Sequence, residues 1–218
     1  CRFIDMDCLI HSGNTFAYCC NSPASMHDVC GTTGDYAYDR DKVIEYGRQY
    51  YNKQDPYYPQ RSYRNNCVRF ASQCLYAGLG DDIIAEVYPE WHCYRNNQRD
   101  PENPEEHDQT RSWRKTNYFY RFLMDSGLAY NTTRLYSGWD LGLMAEWFQY
   151  EPGDFLFFSN GNGADEFYHV AVVSAITEND ILFMGNTTDC FDASLTAWFQ
   201  DPENQEKEVV IVCIADQG

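Results

Sequence analysis

Residues 153–177 read GDFLFFSNGNGADEFYHVAVVSAIT. Two runs of aromatic and β-branched residues stand on either side of a Gly, Asn and Asp stretch, which is the composition of strands joined by a turn. Two further runs, DILFMGN (180–186) and EVVIVCIA (208–215), have the same texture. Short strands separated by turn residues predict an antiparallel sheet after Gly153.

Upstream the periodicity is helical. In DRDKVIEYGRQYYNK (39–53), Val43, Ile44, Gly47 and Tyr51 fall at helical spacing, and Asp39 is available as N-cap. In NNCVRFASQCLYAG (65–78), Cys67, Phe70, Ala71, Cys74, Leu75 and Gly78 form one apolar stripe, opposite a polar face that holds Arg69 and Gln73. A third helix is predicted over SWRKTNYFYRFLMDSG (112–127), capped by Ser112 and ended by Gly127. Helices first and strands afterwards predict an α+β fold. The proline-interrupted polar stretch 95–111 reads as an excursion.

The chain has 218 residues, 44% hydrophobic and 17% aromatic, enough for one domain with a full core and a small appendage. Its net charge of −17 repels phosphate backbones and anionic headgroups, so nucleic acid is not an expected partner. No stretch approaches the ~18 consecutive apolar residues of a membrane span.

Ten cysteines are distributed unevenly: Cys1, Cys8, Cys19, Cys20 and Cys30 crowd the first thirty residues, ahead of the turn-rich CGTTGDY (30–36). Residues 1–34 therefore read as a cysteine-rich appendage and 35–218 as the main domain. The cluster favours disulfides and a secreted or cell-surface location. One of its cysteines is free or reaches Cys93, Cys190 or Cys213. Two alternatives stay open: a zinc site of Cys8, His11, His27 and Cys30, and a lipid-modified Cys1.

Cys67 heads its helix, where the positive end of the helix dipole favours a thiolate. The competing reading is a buried thiol on the same stripe as Cys74. A nucleophilic cysteine needs a base, and of five histidines only His169 begins a strong strand. Asn186 ends the neighbouring strand and is of the type that orients an imidazole. Trp91, Trp113, Trp139 and Trp147 are candidates for a substrate groove, or for the core.

YDRDKVIEYGRQYY, NNCVRFASQCLYAGL, SWRKTNYFYRFL, GDFLFFS, YHVAVVS and GNTTD occur in an order and spacing that resemble the bacterial putative amidase domain family, related in architecture to NlpC/P60 and CHAP domains. The resemblance covers roughly residues 36–215 and implies a papain-like α+β fold, with N-terminal helices packed on an antiparallel sheet. It implies Cys67 as nucleophile, His169 as base and then acid, Asn186 as the orienting residue and Asn66 beside the oxyanion. It further implies a peptide or peptidoglycan-type amide substrate, cleaved through a thioester without a cofactor. The chain departs from the family at three positions. Asn66 replaces the usual acidic residue, Arg69 the usual asparagine two places after the cysteine, and Asn186 stands where many relatives carry histidine. A different class of function, a catalytically silent binding module that recognises through residues 1–34, is the alternative. As a third option, that segment inhibits the enzyme or docks a partner.

Overall fold

The computed structural model describes residues 37–58, 66–80, 88–93, 109–161 and 166–216. The segment 1–34 with Cys8, His11, His27 and Cys30, its boundary with the main domain, and the excursion over 95–108 lie outside the described residues. The elements are α1 (Arg40–Tyr50), α2 (Cys67–Leu79), α3 (Arg111–Arg114), α4 (Thr116–Asp125), β1 (Ala129–Tyr136), α5 (Leu141–Phe148), β2 (Phe155–Ser159), β3 (Phe167–Ile176), β4 (Ile181–Gly185), β5 (Cys190–Ser194), α6 (Leu195–Gln200) and β6 (Glu208–Ile214). The strands form one antiparallel sheet in the order β1-β6-β2-β3-β4-β5. The fold is α+β.

Every residue of β2 and β6 is buried, because both faces of the sheet are covered. Successive side chains alternate between the faces. Phe155, Phe157, Val170, Val172, Val210 and Val212 pack in one cluster with residues of α1, α2 and α4. Leu156, Phe158, Ala171, Val173, Val209 and Ile211 pack in another with residues of α5 and α6. The sequence predicted helices on the sheet from the N-terminal half alone. The second layer comes from two short helices, capped by Asp140, which accepts from the Leu143 N–H at 3.0 Å, and by Ser194, which accepts from the Ala197 N–H at 2.9 Å.

The helix α1 is capped by Asp39 as predicted, its side chain accepting from the Lys42 N–H at 3.1 Å. It lies close against α2 because Gly78 has no side chain: a Cβ there would stand 2.6 Å from Tyr38 Cε2 and from Val43 Cγ2. The predicted stripe of α2 is buried throughout, but so are Val68, Ser72 and Gln73. The polar face assigned to Arg69 and Gln73 is therefore corrected. Tyr46 on α1 brings its hydroxyl to 3.2 Å from the Gln73 amide oxygen, and Arg69 Nε donates to Gln109 at 2.9 Å. Neighbouring chain covers this face and supplies its polar partners.

The predicted helix over 112–127 is two helices, broken where Lys115 takes an extended conformation (φ −126°, ψ 124°). Ser112 is not its cap; the Ser112 hydroxyl donates to the Glu90 carbonyl. The break lets Trp113 enter the core. Its ring lies 4.8 Å from that of Trp91, which stacks on Phe122 at 5.0 Å. Both indoles are fully buried, so Trp91 and Trp113 pack in the core and, among the described residues, line no groove. Trp139 and Trp147 are exposed.

Arg40 fastens α1 to the sheet. Its guanidinium donates to the Pro152 carbonyl (2.9 Å), the Ile214 carbonyl (2.6 Å), Asp154 Oδ1 (3.0 Å) and Asp216 Oδ1 (2.8 Å). Asp154 is fully buried and also accepts from the N–H groups of Ile214 (3.1 Å) and Glu151 (2.9 Å). One ion pair thus joins the start of α1, the entry to β2 and the end of β6.

Candidate active site

Cys67 is the first residue of α2 and 5% exposed. Burial raises its thiol above the ordinary value, while the N–H groups of Val170 and Val68 and the Thr187 side chain pull it back. The sulfur thus faces the backbone of β3 one residue beyond His169. Cys74, two turns deeper, is fully buried with its thiol raised further and no compensating donor. The two cysteines of the stripe differ in the polar groups around them, not in burial.

Asn66 forms no side-chain cap on α2. Its amide instead donates to Asn186 Oδ1, and Asn186 Nδ2 donates to the carbonyls of Tyr50 (2.7 Å) and Lys53 (3.0 Å). Asn186 therefore ties the end of β4 to the head of α2 and to the turn after α1. Lys53, Asp55, Asn66, Arg69, Gln73 and Asn186 line a polar recess there. The Tyr46 hydroxyl donates to Asp55 Oδ2 at 2.9 Å, and Asp55 Oδ1 accepts from the Tyr57 N–H at 2.9 Å.

His169 lies on β3, beside β4 as predicted. Its side chain shares the face of Phe158, the residue directly opposite on β2, with ring centroids 5.3 Å apart. Phe158 belongs to the α5–α6 layer, whereas Cys67, Val170 and Val172 belong to the α1–α2 layer. The imidazole thus projects to the face opposite the thiol, and Nε2 lies 4.0 Å from where a Gly185 Cβ would stand, near Cys190 Sγ. Among the described residues no hydrogen bond joins His169 to Cys67 or Asn186. The register shifts between Phe158 and Ser159, opposite Phe167 to His169. At such a bulge one residue of slip exchanges the faces that side chains occupy.

Burial lowers the His169 pKa to about 4 from its ordinary value near 6.5. Between these values the unfolded chain binds a proton that the folded one does not, so stability rises with pH. We expect the His169 contribution to stability to fall as the pH drops from about 6.5 to about 4, by at most ~1.4 kcal/mol per pH unit, against an opposite slope from the raised Asp154 carboxyl. Urea denaturation across that range checks it: His169→Gln should remove that contribution from the slope, and an unchanged slope would contradict the assignment.

Cys67, Cys74, Cys93, Cys190 and Cys213 are all free thiols. Among the described residues no group of three His, Cys, Asp or Glu could hold a metal ion, and no helix is long and apolar enough to cross a membrane. Thr187 escaped the sequence reading, although GNTTD was part of the recognised pattern. Its proximity to Cys67 follows only from the way β4 returns to the head of α2.

A family model described as a putative amidase domain matches residues 37–210, a span that holds Cys67, His169 and Asn186. No curated protein and no solved structure matches the chain.

Proposed function

Because the chain belongs to the putative amidase domain family, an assignment that makes it an amide hydrolase at a coarse level, we propose that Cys67 is its nucleophile. The observation that carries this reading is the position of Cys67. It is the first residue of a thirteen-residue helix, with backbone N–H groups and a hydroxyl at the sulfur, and its chain neighbour Asn66 lines the polar recess with Asn186. Donors so placed favour a thiolate and suit the oxyanion that forms when an amide carbonyl is attacked.

In the proposed reaction the Cys67 thiolate adds to the amide carbonyl. The tetrahedral intermediate expels the amine, which takes a proton from the His169 imidazolium, and a thioester remains. Water, deprotonated by the same imidazole, then releases the acid and restores the thiol. Burial keeps His169 neutral above about pH 4, the form that a base requires. To act on Cys67 the ring must come to the α2 face, whereas in the structure it lies with Phe158 on the opposite face. Asn186, held by three hydrogen bonds, positions the recess and Asn66. The substrate class proposed is a peptide or peptidoglycan-type amide, met outside the cell by a secreted or surface-held bacterial protein.

The turned imidazole and the raised thiol favour a second reading, a binding module of the same fold without catalysis. Treatment with a peptide chloromethyl ketone, followed by peptide mass spectrometry and an amide-hydrolysis assay on peptides and muropeptides, separates the two. Hydrolysis with labelling concentrated at Cys67 is expected. Labelling confined to Cys93 and Cys190, with no hydrolysis, would establish the binding module instead.

A further inference from the structure

We propose that the cavity between the β1–α5 turn and α6 is a binding subsite for a neutral pyranose sugar, separate from the polar recess of Asn66 and Asn186. Its volume is about 290 Å³, at the small end of ligand pockets, and its lining includes Ser137, Trp139, Thr196, Phe199, Gln200 and Gln205.

The chemistry of this lining is selective. Trp139 is 42% exposed although it is among the largest apolar side chains, and Tyr136 braces it edge-on at 5.2 Å between ring centroids. A braced indole, with Phe199 also in the lining, suits the apolar C–H face of a sugar ring. Around it stand two amides and two hydroxyls, which both donate and accept as sugar hydroxyls do. Among the described residues none that lines the cavity is charged, in a chain of net charge −17. That removes the counter-ion a charged ligand would need and leaves hydrogen bonding and stacking.

The walls are fixed to the scaffold. In α5, Gly142 lies so close to the β3–β4 turn that a Cβ would collide with the Glu178 carbonyl, and Gly161 lies equally close to the Glu206 carbonyl next to Gln205. Thr196 is anchored by donating its N–H and hydroxyl to Asp180 Oδ1 at 3.0 and 2.8 Å. Asp180 also accepts from the Ile181 N–H and the Ser194 hydroxyl, so its charge is taken up within the protein. A preformed site loses little freedom on binding.

The proposal goes beyond the amidase reading and does not depend on chemistry at Cys67. The full chain is titrated with cellotetraose and with tetra-N-acetylchitotetraose, both neutral, and followed by two-dimensional NMR. At least one saccharide is expected to bind in the range of about 1 mM, shifting the Trp139 indole N–H and the Gln200 and Gln205 amides. Trp139→Ala should weaken binding about tenfold or more, Gln205→Ala should weaken it less, and Trp147→Ala should bind as the parent does. Trp147 is 58% exposed and is not part of the lining, which makes it the control for unspecific stacking. Binding by neither saccharide, equal loss in Trp139→Ala and Trp147→Ala, or shifts at the cavity with an apolar peptide and not with sugars would each overturn it.

Discussion

Cys67→Ala should reduce amide hydrolysis to background, a loss of about a thousandfold or more, while the protein remains folded. The loss is large because no other side chain replaces a nucleophile in acyl transfer: the thioester cannot form, and stabilisation of the oxyanion alone leaves little rate. The fold should survive because the change removes one sulfur atom at the edge of the α1–α2 cluster, where the helix starts, and costs at most ~1 kcal/mol. Cys74→Ala provides the comparison. Its thiol is fully buried among apolar side chains, so truncation should cost ~1 kcal/mol of stability and leave activity unchanged. Rates and urea midpoints for the two variants check both halves, and wild-type activity in Cys67→Ala would end the assignment.

Arg40→Ala should be the most destabilising single surface-to-core change, by about 3–5 kcal/mol. The side chain is 15% exposed and its partner Asp154 only 1%. Burial opposes the charge on Arg40, but Asp154, Asp216 and Glu151 outweigh it and raise the pKa of the guanidinium. At Asp154 the balance goes the other way: burial pushes the carboxyl up to about 6, against the pull of Arg40 and two backbone N–H groups. The pair joins three chain segments, and removing Arg40 alone leaves a buried carboxylate without its main cation. Asp154→Asn keeps an acceptor for the Ile214 N–H and leaves Arg40 with Asp216 and Glu151, so it should cost less than Arg40→Ala. The double variant should be destabilised by less than the sum of the two. Chemical denaturation of the four proteins measures this, and strict additivity would show that the pair is not coupled.

The sequence by itself determined the interior of the larger elements, but not β1, which precedes Gly153, nor β5 and the two short helices α5 and α6 set between strands. Local rules suffice where a residue's role depends on near neighbours. Asp39 caps α1 because its carboxylate lies three residues before a free N–H. The stripe from Cys67 to Gly78 is buried because helical spacing puts it on one face. The runs 155–159 and 208–214 are strands because only a sheet covered on both faces uses such uniformly apolar segments. By contrast β1, AYNTTRLY, and β5, CFDAS, are edge strands with one paired side, and their partly exposed polar residues carry no alternating signal.

Only the tertiary structure decided the rest, since it depends on which distant segments meet. The last strand enters between β1 and β2, and α5 and α6 cover the second face of the sheet. Trp113 became core because one extended residue, Lys115, interrupts its helix. Asn186, expected to orient His169, instead bonds Asn66, Tyr50 and Lys53, because β4 ends over the head of α2. The direction of His169 depends on a bulge, where the two-residue rule that assigns strand side chains to faces gives no answer from sequence. Identity, spacing and helix position were sufficient to single out Cys67, but which groups surround its sulfur was fixed by contacts more than a hundred residues apart along the chain.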